Sequence, residues 1–234
     1  MEPLDKQLVD KIELLKDKYA QMGQDITAYL DGLLLSNYLT YWDYVQVDTL
    51  LTLQNPKTDY PDETIFIVYH QITELYFKLA LHELNQIAHN GKHISPNGKD
   101  EGWNATMDPD FFVERIGRIN RYFESLTKSF EIMVDGMDQH QFLRYRMALL
   151  PASGFQSAQY RMIEIASTDF INLVDKDVRA DFKGKDAPLE DLFKHIYWNK
   201  GATELATGKK TLTLEQFEKK YATTFLDMAR KYKG

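Results

Sequence analysis

The sequence predicts an all-α protein. Apolar residues recur three or four apart over long stretches, which is the period of an amphipathic helix. Helix start and stop signals punctuate those stretches, and no βαβ alternation, internal repeat or low-complexity tract interrupts them.

Residues 5–35 carry Leu8, Ile12, Leu15, Tyr19, Met22, Ile26 and Tyr29 at the helical period, and Gly23 divides the run in two. Residues 38–47 are aromatic and β-branched, a loop or a short irregular element. Residues 47–51 predict a short helix with Asp48 as its N-cap, ended by Asn55-Pro56. Residues 62–89 give the clearest helix, with Phe66, His70, Thr73, Phe77, Ala80 and Leu84 on one inward stripe. Residues 90–107 are polar, contain Asn-Gly twice and read as a surface loop. Asp108-Pro109 is an N-cap followed by proline at the first helical position, opening a helix that runs to about residue 134 before Gly136. A helix over 139–149 stops at Pro151, and another covers 155–166. Residues 176–188 are charged, contain Gly184 and Pro188, and predict a loop. Helices over 189–198 and 214–232 follow, the second opened by a Thr213-x-x-Gln216 capping box.

Composition bounds the function. With 234 residues, 44% hydrophobic and 27% charged, the chain has the balance of an ordinary globular domain. Its net charge of -7 argues against a nucleic-acid partner, which needs a clustered basic surface. Cysteine is absent, which removes disulfides, thiolate nucleophiles and cysteine-ligated metals. The acidic, amphipathic N-terminus does not read as a signal peptide, and no apolar run is long enough for a membrane span, so a cytoplasmic protein is expected. Aromatic residues make up 13%, which suits a core built of large rings or a pocket for a flat ligand.

The candidate chemistry rests first on six histidines. His70 lies four residues after Phe66 and four before Glu74. It reads either as a ligand-facing imidazole or as a core histidine satisfied by a carbonyl or by Glu74. His82 shares that helix. His89-x3-His93 has helical metal-pair spacing, but Asn90-Gly91 breaks a helix there; His140 and His195 have no partner at useful spacing. Phosphate loops, serine-hydrolase elbows and His-Glu-x-x-His pairs are missing, and Glu164 lacks the histidine of a di-iron motif. Residues 144–161 differ. Arg144, Arg146 and Arg161 surround a Pro151-Ala152-Ser153-Gly154 turn between two helices. An inward arginine matches a carboxylate ligand bidentately, or else joins a structural ion pair with Glu164 or Asp138.

These residues also resemble a known family. Phe66-Ile67-Val68-x-His70-Gln71-x-x-Glu74-Leu75-x-x-Lys78-Leu79 with His82-Glu83-Leu84 is similar to the signature of tryptophan 2,3-dioxygenases. So are Pro151-Ala152-Ser153-Gly154-Phe155-Gln156-Ser157-x-Gln159-Tyr160-Arg161, and Tyr41-x-x-Tyr44-Val45 leading into Asp48-x-Leu50-Leu51-x-Leu53-Gln54. The three blocks occur in family order.

The resemblance implies one helical-bundle domain over 1–234 of the tryptophan/indoleamine 2,3-dioxygenase type, with an N-terminal arm, residues 1–45, exchanged with a neighbouring subunit. It implies a haem b enzyme that adds O2 across the indole C2–C3 bond of L-tryptophan to give N-formylkynurenine, working as a homotetramer. His70 would contact the indole nitrogen, Phe66 would pack on the indole, and Arg146 would hold the substrate carboxylate. Ser153, Gly154 and Phe142 would lie close to the haem. Tyr41, Tyr44 and Val45 would enter a neighbour's pocket. Phe142 stands where the family commonly has a pocket tyrosine. The family's proximal histidine and its Gly-Thr-Gly-Gly-type loop have no counterpart, since His195 lies in a different context. A chain lacking the C-terminal part of the family domain is therefore expected; the alternative is a haem-free relative serving as a ligand-binding or partner protein.

Overall fold

The computed structural model describes residues 6–36, 40–88, 107–203 and 209–232. The His89–His93 pair and nearly all of the expected 90–107 loop lie outside them. By packing, the chain divides into two compact units, residues 1–53 and 54–234.

The first unit holds α1 (Lys6–Gln21), α2 (Ile26–Leu35), α3 (Tyr41–Val45) and α4 (Val47–Leu50). Gly23 does break the first run: its φ of 67° is the left-handed conformation that glycine tolerates without a Cβ clash. Asp25 then caps α2, its carboxylate accepting from the Thr27 amide at 2.9 Å. From Tyr41 to Val45 the aromatic stretch is helical rather than irregular, with Thr40 capping α3. Asp48 is not an N-cap. Gln46, at φ 55°, turns the chain between α3 and α4 and places Asp48 inside the first turn, and α4 ends well before Asn55. Of the residues described here only Ile26 is buried; Leu33, Leu34, Leu35, Tyr41, Trp42 and Tyr44 are all exposed.

The second unit is organised around α5 (Asp62–Ala88). Next come α6 (Pro109–Ser129), capped by Asp108 as the sequence predicts, and α7 (Glu131–Val134). Then α8 (Gln139–Tyr145) tightens into a 3-10 turn, Arg146–Leu149, which ends at the cis Leu150-Pro151 bond. A second 3-10 turn, Gly154–Gln156, precedes α9 (Ala158–Ser167), so this helix starts later than predicted, with Ser157 as its cap. The expected loop over 176–188 contains one helical turn, α10 (Arg179–Phe182). Residues 189–198 are two pieces, α11 (Leu189–Lys194) and α12 (Tyr197–Lys200). Last is α13 (Leu212–Tyr232). Its cap is Thr211, whose hydroxyl accepts from the Leu214 amide at 3.3 Å, and not Thr213, which lies inside the helix. The described residues hold no strand beyond two isolated bridges, Val174 with Ile196 and Thr203 with Lys210, so the all-α expectation stands. Among the described residues no helix is long and apolar enough to cross a membrane.

Two clusters form the core. In the first, Ile165, Phe170, Leu173, Leu192, Phe193, Trp198, Phe217 and Phe225 bring α9, α11, α12 and α13 together. In the second, Ala80 and Leu81 of α5 meet Ile163 of α9, with Phe77, Ile119, Tyr122 and Phe123 packed around them. Polar ties fix the same pairing. Gln159 donates to the Glu74 carbonyl and carboxylate at 2.8 Å. Buried Glu83 pairs with Arg115 at 3.3 Å and Arg118 at 3.6 Å and accepts from the Tyr122 hydroxyl. A buried carboxylate needs such compensation to stay charged.

Candidate functional site

The α5 stripe has two halves with different fates. Its C-terminal half, Phe77, Ala80 and Leu84, is covered by α6 and α9 as predicted. The N-terminal half is not. His70 is exposed: among the described residues α6 and α9 cover the other end of α5, whereas at this end α8 packs against Phe66 and leaves the imidazole uncovered. The expected inward position of His70 is corrected accordingly.

Around His70 the rings form a continuous apolar wall. Phe66 lies 4.1 Å from the imidazole centroid, one helical turn away on α5. Phe142 of α8 packs on Phe66 at 6.3 Å, and Tyr145 closes the triangle at 5.9 Å from Phe66 and 5.6 Å from Phe142. Tyr69 meets His70 edge-on at 5.7 Å and Phe130 at 6.4 Å. A cavity of about 380 Å³, lined by Phe130, Met133, Val134, Met137, Gln139 and Phe142, borders this wall. Another of about 280 Å³, between Phe170, Phe182, Leu192 and Ala229, shares no residue with it.

His70 has a defined polarity. Its Nδ1 sits 2.8 Å from the Phe66 carbonyl, and a carbonyl only accepts. Nδ1 is therefore protonated, and in the neutral ring Nε2 is left as an acceptor for a donor from outside. The core-histidine reading had the right partner type, but the ring is exposed.

The three arginines separate. Arg161 is buried and pairs with Glu164, three residues on in the same helix, at 2.9 Å. It also donates to the Tyr197 hydroxyl at 2.5 Å and lies over the Trp198 ring at 5.0 Å. Burial, then the hydrogen bond to Glu164, pushes the Tyr197 phenol above its usual range. Asp138 pairs with no arginine among the described residues; its carboxylate caps α8 by accepting from the Gln141 amide at 2.9 Å. Arg146 is exposed at the C-terminal end of α8, its guanidinium carbon 5.7 Å from the centre of the Phe142 ring. Among the described residues it has no carboxylate partner. Arg144 is also exposed.

Ser153 and Gly154 are exposed at the following turn, where the Ser153 amide donates to Gln156 Oε1 at 3.0 Å. Among the described residues no hydrogen bond or ring contact joins them to the Phe66–His70–Phe142 wall. Tyr41, Tyr44 and Val45 belong to the first unit and are exposed there.

Among the residues that sequence reasoning missed are two rings of the wall, Tyr145 and Phe130, and a buried carboxylate at the start of α5, Glu63. Tyr145 is fully buried and donates to Met137 Sδ at 3.4 Å; burial, then the charges of Asp62 and Glu63, pushes its phenol up. Its spacing of three from Phe142 was the available signal. Phe130 read only as one more apolar position. Glu63 is fully buried at the start of α5, accepting from the Lys57 amide (2.7 Å), the Thr58 amide (2.8 Å) and the Thr58 hydroxyl (2.6 Å). Burial raises its carboxyl, but these bonds outweigh it and hold the group below the ordinary glutamate range.

The sequence profile of the family described as "Tryptophan 2,3-dioxygenase" matches residues 33–192. The chain belongs to the tryptophan 2,3-dioxygenase family. Relatives of that name support the assignment. The protein from Ruegeria sp. (strain TM1040) is 38% identical over 126 residues, 54% of this chain and 40% of the relative. That from Bacillus thuringiensis (strain Al Hakam) is 37% identical over 128 residues, 55% and 41%. That from Polaromonas naphthalenivorans (strain CJ2) is 33% identical over 149 residues, 64% and 47%. The matched stretch therefore spans less than half the length of these relatives.

Haem, which this membership brings into question, can be tested on the donor set. Haem iron needs an axial imidazole, thiolate, thioether or phenolate, usually oriented by a second shell. The chain has no cysteine, and the four described histidines stand apart: His70 on the wall, His82 on the outer side of α5, His140 in the first turn of α8 and His195 after α11. His195 is exposed and spends its ring on Phe182 at 5.3 Å. No group of three or more potential ligands gathers among the described residues. The residues around His70 fit one wall of a pocket for a flat aromatic molecule, and the described histidines do not assemble a complete haem site.

Proposed function

We propose that this chain carries the tryptophan-recognising wall of a dioxygenase that adds both atoms of O2 across the indole C2–C3 bond of L-tryptophan, giving N-formylkynurenine. Haem b is the proposed source of the oxygen chemistry. Family membership supports the reading, and one observation carries it. A ring wall is flanked by two polar groups of complementary type, an imidazole whose free nitrogen accepts and an arginine that has no anionic partner among the described residues.

Each feature has a use for that substrate. Phe66 and Phe142 offer apolar faces to an indole. His70 Nε2 accepts the indole N–H, which orients the ring and fixes which edge faces the oxidant. Arg146 donates its fork to the α-carboxylate, a charge-assisted pair that neutral indole cannot make. Ser153 and Gly154 are assigned to the cofactor's edge. Tyr41, Tyr44 and Val45 are assigned to a neighbouring protomer's pocket within a homotetramer, a role consistent with their exposure in the first unit. Sedimentation at micromolar protein reads that assembly directly, and a monomer would remove the shared pocket.

Binding tests the site without any turnover. L-tryptophan should bind the 234-residue chain, and tryptamine, which lacks the carboxylate, should bind about tenfold or more weakly, the worth of one charged hydrogen bond. Equal affinities, or no uptake of L-tryptophan, would reject the reading.

A further inference from the structure

We infer that Asp62, Asp138 and Gln141 form a closed hydrogen-bonded ring that positions the two helices bearing this wall. The inference rests on the tryptophan-site reading for its consequence but not for its geometry. The Asp138 amide donates to Asp62 Oδ2 at 2.6 Å. The Asp62 amide donates to Gln141 Oε1 at 3.3 Å. The Gln141 amide donates to Asp138 Oδ1 at 2.9 Å, which closes the cycle.

All three donors are amides at or beside helix N-termini, where the backbone of the helix supplies no acceptor. The ring therefore costs neither helix a bond. It also sets two carboxylates at the positive ends of α5 and α8, where negative charge is favoured. Two of its links join residues more than seventy positions apart, so it couples the helices rather than merely capping each.

The register above the ring shows what it positions. Four residues beyond Asp62 is Phe66, and four beyond Asp138 is Phe142; these two rings touch. Four further on each strand of the chain stand His70 and Arg146. Helical residues at a spacing of four share a face, so both series climb the same side from the ring to the wall. Eight residues rise about 12 Å, and a change of roughly 10° in splay at the base moves the His70–Arg146 level by about 2 Å. Displacements of that size are enough to uncouple two groups that must grip one small molecule. Asp62 and Gln141 are thus positioning residues, distant from the ligand itself.

The test uses the intact chain with Gln141→Ala, Asp62→Asn and Asp62→Ala, reading amide hydrogen exchange, the melting temperature and the L-tryptophan Kd. Gln141→Ala removes the acceptor for Asp62 only. It should nevertheless speed exchange at the Asp138 amide as well, and weaken L-tryptophan by about tenfold in protein that is still folded. Asp62→Asn keeps an acceptor for Asp138 and should stay within about twofold of the native Kd. Faster exchange at Asp62 alone, with Asp138 unchanged, would mean two independent caps and overturn the proposal. A lowered melting temperature with an unchanged Kd would overturn the positioning role. If Asp62→Ala does not fold, the other two variants decide. If the native chain takes up no L-tryptophan, the proposed function falls and the exchange result alone judges the ring.

Discussion

Replacing Phe225 by alanine should lower the melting temperature by roughly 10 °C, from a loss of about 3–5 kcal/mol. Phe225 is 0% exposed, and its ring lies among those of Phe193 (6.5 Å), Trp198 (6.2 Å), Phe217 (5.8 Å) and Tyr221 (5.9 Å). These belong to α11, α12 and α13, and a side-chain hydrogen bond, Asn199 Nδ2 donating to Glu218 Oε1 at 3.1 Å, holds α12 on α13. Such a site closes poorly around a deleted ring, so the cavity term adds to the lost burial. Leucine keeps part of the volume and should lose about half as much. Calorimetry or thermal circular dichroism reads both. A shift below about 2 °C for alanine would mean that this cluster is not the structural centre of the second unit. No wall residue lies in the cluster, so ligand affinity well below the transition should not change.

What the sequence revealed depended on how local the deciding physics is. Asp108-Pro109 announced α6 because an N-cap and a first-turn proline act within three residues. Gly23 announced the α1–α2 break for the same reason. Thr213 misled because Thr211 offers the same hydroxyl two positions earlier, and the helix extends back to use it. The Asp48 assignment failed for want of any local signal that Gln46 would adopt a left-handed turn. The α5 stripe was correct as a period, yet the period cannot say which end other helices will cover, and so His70 emerged exposed. Most instructive are the arginines. Arg161 and Glu164 are three apart on one helix, an ion pair visible in principle from spacing alone. Assigning that pair removes Glu164 from competition. The Asp138 carboxylate is spent on α8, and Arg146 is left with no partner among the described residues, a deduction available only once the turn between the two helices is known.

A guanidinium with no carboxylate partner among the described residues is free to take one from a ligand. Arg146→Leu should weaken L-tryptophan by about 10- to 100-fold, the range for a charge-assisted bidentate contact with a carboxylate. Leucine keeps aliphatic bulk beside Phe142, so the aromatic wall should survive, and tryptamine, with no carboxylate to lose, should change by no more than about twofold. The native preference for L-tryptophan over tryptamine would then collapse in the variant. Comparing the two ligands across the two proteins isolates the arginine–carboxylate term from any general loosening of the wall, which would weaken both ligands together. Lysine at the same position keeps the charge but not the planar fork, and an intermediate affinity is expected. If Arg146→Leu weakens both ligands equally, Arg146 supports the Phe142 ring rather than the substrate, and the carboxylate must be held elsewhere. If neither ligand changes, the arginine is a solvated surface group and the wall alone defines what binds.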